Sequence, residues 1–67
     1  MEKLILNLNP NLYSADDFYS ELLAIHESRS KEESDTINAR LILILANHIG
    51  DRDVLKQALK LASETTP

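Results

Sequence analysis

Cysteine is absent from this 67-residue chain, and its absence removes a common means of stabilising so small a protein. Without thiols there is no disulfide and no thiolate metal site, and two histidines leave few other ligands for a structural metal. A domain of this length buries only about 60% of the surface that its unfolded chain exposes. A core of that size rarely contributes more than ~3–5 kcal/mol of net stability, so we expect the protein to gain stability by association.

Clustered basic charge and long apolar runs are also missing. The seven Lys and Arg residues are scattered among eleven Asp and Glu, for a formal net charge of −4. Phosphate-binding surfaces need clustered Lys and Arg, so no nucleic-acid partner is expected. The N-terminal apolar stretch is only LILNL, without a small-residue cleavage site after it, and no segment approaches the ~20 apolar residues of a membrane span. These features predict a cytoplasmic protein that does not contact a membrane.

Glycine and proline are scarce, with one and two residues respectively, which favours long regular elements. Residues 1–13 place leucine at positions 4, 6 and 8, and this period of two predicts an extended arm or short strand. The sequence Asn9-Pro10-Asn11 predicts a turn after it. A lone strand cannot satisfy its own backbone, so the arm must lie across the helices or pair with another chain.

Residues 14–63 are predicted to form a three-helix domain, followed by a frayed tail at residues 64–67. Ser14 is the expected N-cap of the first helix, with Asp17 completing a capping box. Tyr13 is expected to pack on Phe18 as a hydrophobic staple. This first helix is predicted over about residues 15–28 from its apolar spacing.

Capping signals also delimit the other two helices. Ser30 and Glu33 form a second capping box, and helical sequence then runs to Ile49. Gly50 supplies a left-handed stop, and Asp51 caps the third helix. Because both connections are short, neighbouring helices should run roughly antiparallel or cross sharply.

The segment NARLILILANHIGD, residues 38–51, holds six large aliphatic side chains and two alanines. On a helix, one stripe contains Ile37, Leu41, Ile44 and His48. This stripe is expected to face the core, with Leu41 and Ile44 at its centre. A second stripe contains Ile42, Ala46 and Ile49. A third stripe contains Glu33, Thr36, Arg40 and Asn47, with Leu43 beside it. A helix that is apolar around most of its circumference needs other protein surface against most of its sides. The two neighbouring helices and the arm would still leave part of this apolar surface exposed to water. The sequence therefore predicts a homodimer or docking on a larger protein.

The same segment, together with DDFYSELLAIH upstream, resembles a family of very small bacterial proteins classed as a domain of unknown function. The resemblance covers residues 8–62. It implies a short helical protein without an assigned activity. It also suggests a flavin-dependent metabolic oxidoreductase as the larger partner.

Polar residues within the apolar segment are the candidate interface or ligand contacts: Arg40, Asn47, His48, Asn38 and Leu43. Arg40 either pairs with Glu33 or a carboxylate of the first helix, or it fixes the register of an apolar interface together with the two asparagines. In the second interpretation, a carboxylate from a facing chain, at Asp16, Asp17 or Glu21, would pair with Arg40. Otherwise these three acidic residues form a solvated face.

His48 has two interpretations. It either bonds a free carbonyl at the end of its helix, or it contacts a small ligand or metal together with Asp51, Asn47 and Arg40. His26 is expected to lie far from His48. There is no H-E-x-x-H spacing and no Gly-rich loop, and the sequence shows no nucleophile–base pair, so no catalytic residue, metal site or cofactor is predicted.

The sequence as a whole predicts an all-α, three-helix domain with a short N-terminal extended arm, assembled as an oligomer. The expected function is that of a small non-catalytic interaction or accessory module. One alternative is a protein that binds a small ligand or metal. A helix-turn-helix regulator is another, with Arg52, Lys56 and Lys60 on the final helix.

Overall fold

The computed structural model describes residues 5–64, and these residues form three helices after an extended segment. Helix α1 spans Ala15–His26, α2 spans Lys31–Ile49 and α3 spans Arg52–Ser63. Residues 5–64 contain no strand, so the prediction of an all-α chain is confirmed. The expectations for Leu4 and for the tail at residues 65–67 lie outside the described residues. Within residues 5–64, no helix is long and apolar enough to cross a membrane.

Helix α2 begins and ends as its capping residues predict. The Ser30 hydroxyl accepts a hydrogen bond from the Glu33 N–H at 3.1 Å, and Glu33 Oε1 accepts one from the Ser30 N–H at 3.0 Å. Gly50 adopts a left-handed conformation with φ 68°, and its N–H donates to the Ala46 carbonyl at 2.9 Å. The Asp51 carboxylate then accepts from the Val54 N–H at 2.9 Å, so α3 starts where its N-cap was predicted.

The predicted start of α1 is wrong in its details. Ser14 has a left-handed backbone with φ 52°, and its side chain caps no amide of the described helix. An N-cap side chain reaches the first-turn amides from an extended backbone, which Ser14 does not adopt. Tyr13 is 94% exposed, so the predicted staple on Phe18 does not form. The helix also ends at His26 rather than near residue 28, because Glu27 is extended and Ser28 is left-handed.

The N-terminal arm lies along α3. The Leu6 N–H donates to Gln57 Oε1 at 3.1 Å, and Leu6 is half-buried. Ile5 and Leu8 are 78% and 73% exposed, so Leu6 and Leu8 do not share a covered face as a strand would require. The Asn7 side chain accepts from the Asn9 N–H at 2.9 Å, which begins the chain's bend towards Pro10.

The packing of the helices is open. No two of the three helices in residues 5–64 pack closely along their lengths, and no side chain in this range is buried. The chain exposes 6579 Å², whereas a compact monomer of 7.6 kDa exposes about 4,300 Å². Its radius of gyration is 14.2 Å, against about 11 Å for a compact domain of this length. Intrachain contacts therefore leave much of the apolar surface uncovered.

The stripe of α2 that was expected to face the core is only partly covered. Ile37 and Leu41 are half-buried, but Ile44 is 64% exposed and His48 is exposed. Hydrogen bonds between α1 and α2 are found at Ser34 and Asn38, near the start of α2. The second half of the stripe lies beyond this contact, so the central position predicted for Ile44 is wrong.

Candidate functional site

An apolar groove lies between the second half of α2 and α3. Its volume is about 400 Å³. Its walls contain only aliphatic and alanine side chains: Ile42, Leu45, Ala46 and Ile49 from α2, and Leu55, Ala58, Leu59 and Ala62 from α3. We call this feature the α2–α3 groove. The second predicted stripe contains three of the four residues on the α2 wall, Ile42, Ala46 and Ile49. Leu45, the fourth, was in none of the predicted stripes.

The two walls have the same sequence spacing. In each helix the wall residues stand at positions i, i+3, i+4 and i+7, which places them on one face. The sharp connection at Gly50 and Asp51 turns α3 so that its face and that of α2 line one groove. Ile42 and Leu59 are 61% and 69% exposed, so each wall presents a large side chain to an incoming surface.

Basic side chains border the α3 wall. Arg52 and Lys56, one turn apart, line a neighbouring concavity together with Leu55 and Leu59 of the groove. Asp53 lines the same concavity. The apolar groove therefore has a charged edge on the side of α3.

Arg40, Leu43 and Asn47 form an exposed outer stripe on α2, away from the groove walls. Leu43 is 70% exposed. Glu33 does not pair with Arg40, because its carboxylate accepts from the Ser30 N–H and lies 3.8 Å from the Arg29 guanidinium. Within residues 5–64 Arg40 has no ion pair. The interpretation that Arg40 pairs with Glu33 is wrong, while its role in an interface stays a prediction.

The residues considered for a ligand site lie on the second half of α2 and at the start of α3. His48 is exposed in the last turn of α2. The carboxylate of Asp51 is engaged with the Val54 N–H as the cap of α3. Across residues 5–64 there is no group of three or more His, Asp or Glu side chains arranged to hold a metal. A ligand-binding role for His48, Asn47 and Arg40 stays a prediction.

A polar cluster that the sequence did not reveal joins α1 to α2. His26 Nδ1 lies 2.8 Å from Ser34 Oγ, and His26 Nε2 lies 3.1 Å from Asn38 Oδ1. An amide oxygen only accepts, so Nε2 carries a proton and donates to Asn38. The Ser34 hydroxyl donates to Nδ1 of a neutral ring and accepts from a charged one. Both ring nitrogens of His26 therefore have a hydrogen-bond partner on α2.

The order of hydroxyl, imidazole and amide in this cluster is that of a nucleophile, a base and an orienting group. A nucleophilic site also needs donors for a developing oxyanion. Two of the nearby amides are already engaged, since the Glu33 N–H donates to Ser30 Oγ and the Ser34 N–H to the Ser30 carbonyl. What the structure shows is a joint between two helices, in which one side chain of α1 bonds two side chains of α2. One sequence signal could have indicated it: Ser34 and Asn38 are four residues apart, on the face of α2 next to the end of α1.

Comparisons with known proteins give one family. The family described as Protein of unknown function (DUF2783) matches residues 6–64. The match includes most of the arm and all three helices. No curated protein and no solved structure matches the chain.

Proposed function

The chain belongs to the DUF2783 family, and we propose that it is a small non-catalytic interaction module that associates with a second copy of itself. One observation carries the proposal: no side chain in residues 5–64 is buried, although the sequence has the composition of a folded protein. A helical chain with 43% hydrophobic residues does not leave them in water without a partner surface.

The amount of uncovered surface supports a partner of obligate size. The chain exposes about 2,300 Å² more than a compact monomer of its mass. Obligate homodimers bury roughly 2,000–5,000 Å² in total, or about half of that on each subunit. The excess on one chain is within the range that such an interface covers. An interface of the size found in transient complexes would leave most of this excess surface exposed.

A second copy is favoured over a larger protein for two reasons. The two walls of the α2–α3 groove share one spacing, so the surface can match itself, as two-fold interfaces require. Two-fold dimers are also by far the commonest oligomers of soluble proteins. A larger partner, such as the flavin-dependent oxidoreductase that the resemblance suggests, is the competing hypothesis.

Sedimentation equilibrium tests the proposal directly. At micromolar concentration we expect the full chain to sediment as a dimer with native helical circular dichroism. A chain that is monomeric at this concentration and keeps its full helical signal would contradict self-association. In that case, co-purification from the native host with a larger enzyme would support the competing hypothesis.

A further inference from the structure

The α2–α3 groove is lined only by apolar side chains, and its arrangement indicates what covers it. We propose that the groove of one copy receives the same groove of a second copy, with the two α2 helices antiparallel about a two-fold axis. This inference rests on the proposed self-association and specifies its interface. It adds the residues in contact and the direction of pairing.

Both groove walls combine large and small side chains, which suits interdigitation. On α2, Ile42 and Ile49 project as large side chains, with Ala46 between them on the same face. On α3, Ala58 and Ala62 leave space beside Leu59. Helices pack when the ridges of one enter the spaces of the other, so the large side chains of one copy fit over the alanines of its partner. The result is a four-helix arrangement with α2 and α3 from each chain.

The length of the apolar face sets the position of the two-fold axis. The α2 wall extends from Ile42 to Ile49, so its midpoint lies between Leu45 and Ala46. An antiparallel pairing centred there places Ile42 of one copy opposite Ile49 of the partner subunit, and the reverse contact follows by symmetry. All eight wall residues of each copy are then covered in the dimer.

Charge distribution favours the antiparallel direction. Asp35 lies in the first half of α2, two turns before Ile42 and on the same face as the groove wall. Arg52 is the first residue of α3. Antiparallel α2 helices bring Asp35 of one copy towards Arg52 of the partner subunit, which is an attractive pair. Parallel helices would instead bring like charges together, Asp35 near Asp35 and Arg52 near Arg52. Within one chain, Asp35 bonds Lys31 at 2.9 Å, but both side chains are largely exposed, so this pair can be exchanged at little cost.

Two adjacent residues of α2 provide a matched test of the apolar contact. Ile42 lines the groove and is 61% exposed, whereas Leu43 lies on the outer stripe and is 70% exposed. By sedimentation equilibrium, Ile42→Asp should make the chain monomeric, while Leu43→Asp should keep the parent dissociation constant. Arg40→Ala, also on the outer stripe, should keep it as well. If Leu43→Asp or Arg40→Ala dissociates the dimer and Ile42→Asp does not, the interface is the outer stripe and the groove proposal is overturned.

A second variant covers the case in which Ile42→Asp fails to fold. Ala46→Leu replaces one strong helix former with another, and the larger side chain fills the space that a partner side chain would enter. It should weaken the dimer by about tenfold or more while the helical circular dichroism is kept. An unchanged dissociation constant for Ala46→Leu would contradict the groove as interface, although the parent dimer would still support self-association.

A charge exchange tests the direction of pairing. Asp35→Arg and Arg52→Asp should each weaken the dimer by about three- to tenfold, and the double variant should recover most of the parent affinity. Aspartate is tolerated at residue 52, because acidic residues suit the first turn of a helix. Additive losses in the double variant, with the Ile42→Asp result as expected, would overturn the antiparallel arrangement. A folded, monomeric parent would instead overturn the proposed function itself.

Discussion

Ser30 and Glu33 satisfy two amides that the start of α2 would otherwise leave to water. The Ser30 N–H donates to the Glu33 carboxylate, and this bond holds the pKa of Glu33 below its ordinary value of 4.5. The Ser30 hydroxyl and the Arg29 guanidinium make smaller contributions in the same direction. The capping box thus makes the stability of α2 sensitive to acid.

The sign of this dependence follows from the lowered pKa. Since the pKa of Glu33 is lower in the folded chain than in the unfolded one, its contribution is complete above pH 4.5 and is lost as the pH falls through the folded value. The melting temperature of Glu33→Gln should therefore fall less than that of the parent between pH ~6 and ~3. Glu32→Gln, in the same turn but outside the capping box, is the control. Equal acid responses of Glu33→Gln and the parent would exclude this role for Glu33.

At the scale of elements, the joint between α1 and α2 is polar. Apolar contact along the two helices is slight, because no described helix pair packs closely along its length. His26, half-buried at the end of α1, bonds both Ser34 and Asn38 of α2. Hydrogen bonds are directional, so this cluster fixes the angle between the helices more closely than the few apolar contacts can.

A double-mutant cycle measures the strength of this joint. His26→Ala and Asn38→Ala should each lower the free energy of unfolding, and the double variant should lose less than the sum of the two. The expected coupling is about 0.5–1.5 kcal/mol, the usual net contribution of one hydrogen bond. Asn47→Ala, the same change on the outer stripe of α2, should be additive with His26→Ala. A coupling energy between His26→Ala and Asn47→Ala as large as that between His26→Ala and Asn38→Ala would show that the coupling does not come from the His26–Asn38 bond.

At the scale of the whole molecule, the proposed self-association would link folding to association, because the chain's own packing is open. A chain of this size keeps only a few kcal/mol of stability even with a complete core, and residues 5–64 contain no buried side chain. In the proposed dimer, the apolar contacts that stabilise the helices come largely from the second copy. Obligate homodimers often have no stable folded monomer.

Such linkage predicts a melting temperature that depends on protein concentration. Each tenfold increase in concentration should stabilise the dimer by about 1.4 kcal/mol relative to the unfolded chains, so the midpoint followed by circular dichroism should rise steadily. The Leu43→Asp variant should show the same rise, since it leaves the groove intact. A midpoint that stays constant over two decades of concentration would indicate that one chain folds alone.

The sequence by itself determined the local structure of α2 and α3. Ser30, Glu33, Gly50 and Asp51 act where they were predicted to act, because caps depend on hydrogen bonds between residues three or four positions apart. The amphipathic spacing also indicated that α2 carries more apolar surface than its own chain can cover. Family membership agreed with the resemblance carried by its longest apolar segment.

Only the tertiary structure decided which faces meet. Helix α2 has more than one apolar face, and its periodicity does not indicate which face the chain covers. Ile44 was expected inside but is 64% exposed, and Leu45, which lines the groove, was in none of the predicted stripes. The direction is set by how the chain turns at Gly50 and at residues 27–30, and periodicity within one helix does not contain that angle. The contact of His26 with Asn38 likewise depends on where the neighbouring helix lies, because it joins residues twelve positions apart.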